Sequence, residues 1–356
     1  MAMKSAQLHA PEDMRVDEVD AQPLAEGTVR VDIAYTGICG SDVHEYKIGP
    51  VPVRAEDRDH EIPESEWDDL LPKPMGHEIS GVVSEVGNGV ESVDVGEEVA
   101  LNILIPCGEC RYCKEGKFNL CTTMDGAPVG SPGFAESIVV PAEAAVPLPD
   151  GVSLRHAALA EPLSVSVHGV RRSGIQVGDT VAVFGAGPIG LGVVDAAMAA
   201  GARRVLVSEP REARREAAVE LGADIAVDPR ETDVIEHFKR ETDGGVDISF
   251  EVAGVSETLT GALRSTKYDG TVVVLSVFEA EAQIHPNDIM QAERNVRGSF
   301  AYNGDYPATL QMMADGRLSP ETFITGEITL DEISEKGFER LVDPESEHIK
   351  ILVSPE

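Results

Sequence analysis

The sequence predicts an α/β protein with a β-rich domain and a doubly wound parallel-sheet domain. Three observations carry that expectation. The chain has 356 residues, more than one hydrophobic core usually serves. Residues 1 to about 160 are rich in short alternating runs and turn signals. From about 165, β-branched runs alternate with helical stretches, the pattern of a parallel sheet with crossover helices.

Taken in order, "VRVDIAYTGI" alternates apolar and polar residues, "SGVVSEVG" reads as a strand and turn, and "ESIVVP" as a short strand. Residues 50–74 form a polar, acidic, Pro-rich loop with little periodicity. The strands of the parallel sheet are "TVAVF", "RVLVS", "DIAVD", "VDISFEVAG" and "GTVVVLSV", separated by helices such as "REARREAAVELGA" and "SETLTGALRSTK". After about 300 the rhythm breaks. Helices are expected near "DYPATLQMMADG" and "LDEISEKGFERLV", then a final strand in "HIKILVSP". No internal repeat or low-complexity tract is seen.

Composition narrows the function. Hydrophobic residues make up 42% and 34 glycines are spread along the chain, a globular composition. There are 63 Asp and Glu against 29 Lys and Arg, a formal net charge of -34. Such a surface repels nucleic acid and anionic lipid, so neither is an expected partner. Scattered acidity of this size reads as adaptation to high salt, where self-repulsion is screened. The start, "MAMKSAQLHAPEDMRV", has no apolar core of a secretory signal, and a cytoplasmic location is expected. Residues 181–202 have the length of a membrane span, but Asp195, a proline and several glycines make them a buried strand, tight turn and helix.

That turn, "VAVFGAGPIG", carries G-x-G-x-x-G at Gly185, Gly187 and Gly190. A strand precedes it, a helix follows, and an acid, Glu209, ends the next strand. Gly185 permits the tight turn, Gly187 lets the backbone approach a pyrophosphate, and Gly190 lets helix and strand pack closely. The reading is a Rossmann dinucleotide site. Glu209 would bind the ribose hydroxyls and repel a 2′-phosphate, which points to NAD; Arg211, Arg214 and Arg215 nearby are the features that would suit NADP.

Four of the five cysteines lie in "CGECRYCKEGKFNLC": Cys107, Cys110, Cys113 and Cys121. Disulfides do not suit a cytosolic chain. An iron–sulfur cluster shares part of the spacing, but four thiolates in one short lobe most naturally close a tetrahedral, structural zinc site. The fifth cysteine is Cys39, in "GICGSDVHEY". His77 and Glu78 stand in "MGHEISG", and Glu161 in "EPLSVSVHG". Taken singly, each suits a packed core. Beside a dinucleotide fingerprint, Cys, His and carboxylate make an open catalytic zinc set with room for water or substrate.

These motifs, in this order, resemble the zinc-dependent medium-chain alcohol dehydrogenases over nearly the whole chain. The resemblance implies a GroES-like catalytic domain built from both chain ends around a central Rossmann domain, here 1–164 and 300–356 around 165–299. It implies a catalytic zinc on Cys39 and His77, with Glu78 or Glu161 as third ligand, directly or through water. Ser41 and His44 match the family's proton relay, and Glu161 borders the reacting centre. Arg214 matches an adenosine-ribose contact. Pro188, Ile189, Ser276 and Val277 match further cofactor positions. The implied reaction passes a hydride between an alcohol and NAD, with a homo-oligomer, dimer or tetramer, as the usual assembly.

Within the family, the likeness is greatest to members acting on (R,R)-2,3-butanediol and acetoin. "CGSDVHEYKIGP" with the following insertion, "GGVDISFEVAGV", "IHPNDIMQAERNVRGSFAYNGDYPATLQMM" and the ending "KILVSPE" carry it. Polyol (sorbitol) dehydrogenases come second, because their Arg-Tyr pair is replaced by Ala301-Tyr302. L-Threonine 3-dehydrogenase comes third, on "VSEPREARR". A non-enzymatic zinc scaffold is the reading from a different class. It predicts bound metal without cofactor-dependent turnover.

Overall fold

The computed structural model describes residues 2–51, 62–123, 132–343 and 345–356. The chain divides into two compact units, Met1–Glu161 with Ile324–Glu356, and Pro162–Phe323. The first unit begins with β1 (Ala2–Ala10), β2 (Asp13–Asp20), β3 (Thr28–Gly37), α1 (Gly40–Ile48), β4 (Lys73–Pro74), β5 (Glu78–Val86) and β6 (Glu98–Leu101). It continues through α2 (Arg111–Lys114), β7 (Ser137–Pro141), β8 (Ala145–Pro147) and α3 (Leu154–Ala157). The alternation in β3 turns Val29, Val31 and Ile33 inward, onto Ile79 and Val83 of β5 and Ile138 of β7.

The second unit holds α4 (Ala160–Ser173, whose first two residues belong to the first unit), β9 (Thr180–Phe184), α5 (Pro188–Ala199), β10 (Arg204–Ser208), α6 (Glu212–Glu220), β11 (Ile225–Val227) and α7 (Val234–Glu241). After these come β12 (Val246–Glu251), α8 (Ser256–Ser265), β13 (Thr266–Val274), α9 (Asn287–Met290), β14 (Asn295–Gly298) and α10 (Tyr306–Ala314). Its six strands run parallel in the order β11-β10-β9-β12-β13-β14. That is the 3-2-1-4-5-6 order of a Rossmann sheet, which reverses between β9 and β12. All five residues of β9 are buried, as a strand covered on both faces requires.

The chain returns to the first unit through β15 (Ile324–Thr329), α11 (Glu339–Val342) and β16 (Lys350–Ser354). There β16 joins β15 on one side and β3 on the other, within the order β15-β16-β3-β5-β6-β8. A smaller sheet has the order β2-β1-β4.

Three details depart from the sequence reading. The return falls at residue 324 rather than 300. Residues 300–323 stay with the second unit because polar ties bind them there. Asp305 accepts from His168 and Arg171, Ser319 N–H donates to Asp195 at 2.7 Å, and Arg317 donates to the Ala199 carbonyl at 2.7 Å. Second, "LDEISEKGFERLV" is not one α-helix. A 3-10 turn and a π-helical turn over Ile333–Phe338 precede α11, and Gly337 there packs so near Ile38 that a Cβ would lie 2.9 Å from its methyl. Third, the segment read as a loop over 50–74 carries secondary structure: Glu64–Asp69 form a 3-10 turn, and β4 pairs with β1. Residues 52–61 of that loop lie outside the described residues. Among the described residues no helix is long and apolar enough to cross a membrane; residues 181–202 are β9, the glycine turn and α5.

Candidate metal centres and nucleotide site

The cysteine lobe folds around its own sulfurs. Cys107 and Cys113 sulfurs lie 3.9 Å apart, Cys110 and Cys113 3.5 Å, and Cys110 and Cys121 3.9 Å. A disulfide would need about 2.0 Å, whereas thiolates about 2.3 Å from a common zinc would stand about 3.8 Å apart. All four thiols are free. Backbone N–H groups of Cys110 and Cys113 point at the sulfurs of Cys107 and Cys110, at 3.4 and 3.5 Å. The N–H of Cys113 is the main influence pulling the Cys110 thiol down to about 6, while burial pushes Cys113 up to about 12. Such a donor set suits a soft divalent ion held with no open position.

The second cluster is assembled from distant segments. Cys39 is the residue before α1, and its N–H donates to Asp42 Oδ2 at 2.9 Å, closing the first turn of that helix. The other oxygen, Asp42 Oδ1, faces His77 Nδ1 at 3.3 Å. This orients the imidazole and leaves Nε2 towards Ser41 Oγ, 3.5 Å away. Burial alone would lower the His77 pKa, but the charges of Asp42 and Cys39 outweigh it and hold it well above its usual value.

One donor atom each from Cys39, His77 and Glu78 lie mutually within 4.8 Å. Glu78, fully buried at the start of β5, takes Lys350 Nζ on both carboxylate oxygens at 2.7 Å. Lys350, itself buried in β16, also donates to the Ile38 carbonyl at 2.8 Å. Glu161 is buried at the start of α4, and burial raises its carboxyl to about 7 against the opposing pull of His77. Its carboxylate is not in the three-residue donor group. His44 stands half-buried on α1, three residues beyond the exposed Ser41.

Sequence reasoning missed Asp42 and Lys350. Asp42 had a signal, since it sits three residues after Cys39 where a helix-capping acid stands. The signal for Lys350 was weaker: one charge inside the apolar run "HIKILV".

In the second unit the glycine motif forms its turn as expected. Gly185 has φ +100, and a Cβ on Gly190 would lie 2.0 Å from the Gly185 carbonyl, so neither position admits a side chain. Gly187 caps α5, with Pro188 in the first turn, and the Ile189 carbonyl accepts from Ser166 at 3.0 Å. The space beside Gly187 is open except for Arg214, whose Nη1 would lie 3.8 Å from an added Cβ. Arg214 Nε is buried without a hydrogen-bond partner, and burial lowers its pKa. A buried, unsatisfied guanidinium N–H beside a glycine turn at a helix N-terminus fits an anionic nucleotide. Glu209, buried just past β10, accepts the Ala186 N–H at 2.7 Å and the Arg211 N–H at 2.9 Å. Ser276 and Val277 follow β13; the Ser276 hydroxyl bonds Glu251, and Val277 is exposed.

A parallel sheet of Rossmann order with a glycine turn, and a β-rich unit with two thiol-containing donor sets, together define a metal-dependent, dinucleotide-dependent dehydrogenase. Comparison with known proteins agrees. Residues 25–150 match the alcohol dehydrogenase GroES-like domain and residues 188–315 the zinc-binding dehydrogenase domain. The (R,R)-butanediol dehydrogenase of Bacillus subtilis (strain 168) is 40% identical over 356 residues, covering 99% of this chain and 100% of that one. The crystal structure of 2R,3R-butanediol dehydrogenase from B. subtilis superposes with a TM-score of 0.88 at 40% identity, covering 99% of this chain and 100% of that one. A zinc-binding dehydrogenase from Sinorhizobium meliloti 1021, solved bound to NADP, gives a TM-score of 0.88 at 33% identity over 100% of both chains. The chain belongs to the zinc-binding alcohol dehydrogenase family. It is an oxidoreductase.

Proposed function

We propose that this enzyme interconverts (R,R)-2,3-butanediol and acetoin with NAD, using one catalytic and one structural zinc. The observation that carries the reading is the cluster of Cys39, His77 and Glu78, with Ser41 beside it. Three protein donors leave a fourth position open for water or substrate. Cys107, Cys110, Cys113 and Cys121 would hold the structural ion. When bound, zinc supplies Lewis acidity towards the alcohol oxygen, and NAD supplies the acceptor for the carbinol hydride.

The chain's own residues do the rest. Asp42 holds the His77 ring in one orientation. Lys350 grips the Glu78 carboxylate, so that its charge is balanced before any ion enters. Ser41, exposed beside His77, takes the alcohol proton, and His44 on the same helix passes it on. Glu161, its carboxyl near neutral pH, is a further acid–base group at the centre.

Glu209 supports NAD: a buried carboxylate just past the end of β10 would repel a 2′-phosphate. NADP is the second reading, favoured by Arg214, whose buried Nε has no hydrogen-bond partner. The family resemblance supports a cytoplasmic homo-oligomer. The test is turnover in multimolar KCl with (R,R)-butanediol, meso-butanediol, sorbitol and threonine, each with NAD and NADP. Preference for (R,R)-butanediol with NAD is expected. Preference for sorbitol would overturn the substrate, and preference for NADP would overturn the role of Glu209.

A further inference from the structure

The second unit contains a buried acid that the reaction does not use. Glu251 is the last residue of β12, fully buried, and level with Phe184 of β9 and Val274 of β13. Its place is therefore beside the point where the strand order reverses, at the strand ends where such sheets take a dinucleotide. Its carboxylate accepts from two strand-end loops. Oε1 takes the Ala253 N–H at 2.9 Å, the Gly254 N–H at 2.8 Å and the Thr258 hydroxyl at 2.8 Å. Oε2 takes the Ser276 hydroxyl. Every one of these donors is an amide or a hydroxyl, not a lysine or an arginine.

The stitched loops are also pressed against each other and against the glycine turn. A Cβ on Gly254, which has φ +78, would lie 2.4 Å from the Val277 carbonyl. On the other side, a Cβ on Gly185 would lie 3.0 Å from Ala253 Cβ. One carboxylate thus sets the spacing of the β12–α8 turn and the segment after β13, and the first of these backs directly onto the glycine turn. Burying a carboxyl group is unfavourable unless donors surround it. A residue needed only to end a strand has no use for four.

We propose that Glu251 is a positioning residue for the nicotinamide half of the dinucleotide. The inference rests on the reading that this unit binds NAD. Glu209 and Arg214 lie at or beyond the end of β10, which places the adenosine half on that side of β9. The two halves of a dinucleotide lie on opposite sides of the reversal point. The nicotinamide half therefore falls on the β12–β13 side, where Glu251 fixes Ser276.

The test compares NADH with ADP-ribose, which lacks the nicotinamide, by fluorescence or calorimetric titration of the full-length protein, with thermal unfolding in parallel. E251A is expected to weaken NADH at least about tenfold while ADP-ribose changes less than about threefold. E251Q is the conservative rescue. Its oxygen can keep the Oε1 bonds, and its amide can donate to a rotated Ser276 hydroxyl, so NADH affinity should stay within about threefold of the parent.

Three results overturn the proposal: unchanged NADH binding in E251A, equal loss of both ligands, or E251Q failing as badly as E251A. Should E251A not fold, S276A decides. It should weaken NADH several-fold and leave ADP-ribose unchanged, and unaltered NADH binding would overturn the proposal. A parent protein that binds neither ligand refutes the NAD reading itself, which separates the two failures.

Discussion

The two thiol-containing donor sets are built on opposite plans. The lobe from Cys107 to Cys121 gathers four identical donors within fifteen residues, and the backbone amides aimed at its sulfurs come from the lobe itself. The Cys39 centre draws on a helix N-terminus and the start of β5, with a counter-ion on β16. Its donors differ in kind, and two of them are held by other side chains, His77 by Asp42 and Glu78 by Lys350. A closed set of equal donors can only hold an ion. An open set with oriented, charge-balanced donors can also change what it holds. On the proposed reading, the first plan serves the fold and the second serves the reaction.

The comparison breaks most directly at its two named cysteines. C39S should lower kcat/KM for a secondary alcohol at least about a thousandfold, about 4 kcal/mol of barrier, with thermal unfolding near that of the parent. C107S should do the reverse. Structural zinc sites contribute folding free energy outright. At roughly 2–4 °C per kcal/mol in a unit of this size, a loss of several kcal/mol should lower Tm by about 10 °C or more. Equal stability losses in the two variants, with activity retained in C39S, would mean that the roles are assigned the wrong way round.

Lys350 tests the charge balance. Removing one member of a buried pair strands the other, at a cost of about 3–5 kcal/mol. K350M leaves Glu78 fully buried and unpaired. The predicted loss in urea unfolding is largest in chelator-treated protein and smaller with zinc added, because an ion beside Glu78 replaces the missing charge. A loss of the same size with and without zinc would show that Glu78 does not face the metal.

Asp42 tests the hold on His77. D42N keeps the cap on the Cys39 N–H but removes the charge beside His77 Nδ1. Outer partners of this kind are worth about 10–100-fold in metal affinity. A zinc competition titration should find that loss at the catalytic ion and none at the four-cysteine lobe.

The same contrast explains what the sequence made legible. The lobe could be read because its information is local: four cysteines at fixed spacing, with no other residue required. The glycine turn was legible for the same reason, since Gly185 to Gly190 and Glu209 fall within one strand–helix–strand unit. Cys39, His77, Glu78 and Glu161 could be proposed only by adding weak signals to that strong one and by family resemblance. Lys350 and Glu251 were missed because their meaning depends on what the fold brings beside them. Lys350 meets Glu78 across 272 positions of chain, and Glu251 meets Ser276 across 25. The boundary near 300 was misplaced because α10 follows the last parallel strand without another strand to mark it, while the ties from Asp305 and Ser319 leave no periodic signature.

Glu161 supplies the finest test, because it asks whether the open centre carries a penalty that only an ion relieves. Burial lifts its carboxyl from 4.5 to about 7 in the folded, metal-free protein. Between those values the unfolded chain has released this proton and the folded protein still holds it, so rising pH favours unfolding. The stability tied to this group is full below about pH 4.5 and is lost as pH rises through about 7. At 1.36 kcal/mol per unit the ceiling is about 3 kcal/mol, and water entering the site reduces it. E161Q has no proton to lose. In chelator, its stability relative to the parent should therefore rise between pH 4.5 and 7.5 and then level off. With zinc added the sign should turn, because a cation favours the carboxylate and the parent no longer bears the penalty. Difference curves from urea unfolding that stay flat with pH, or that ignore zinc, would place Glu161 outside the centre and leave Cys39, His77 and Glu78 to act without it.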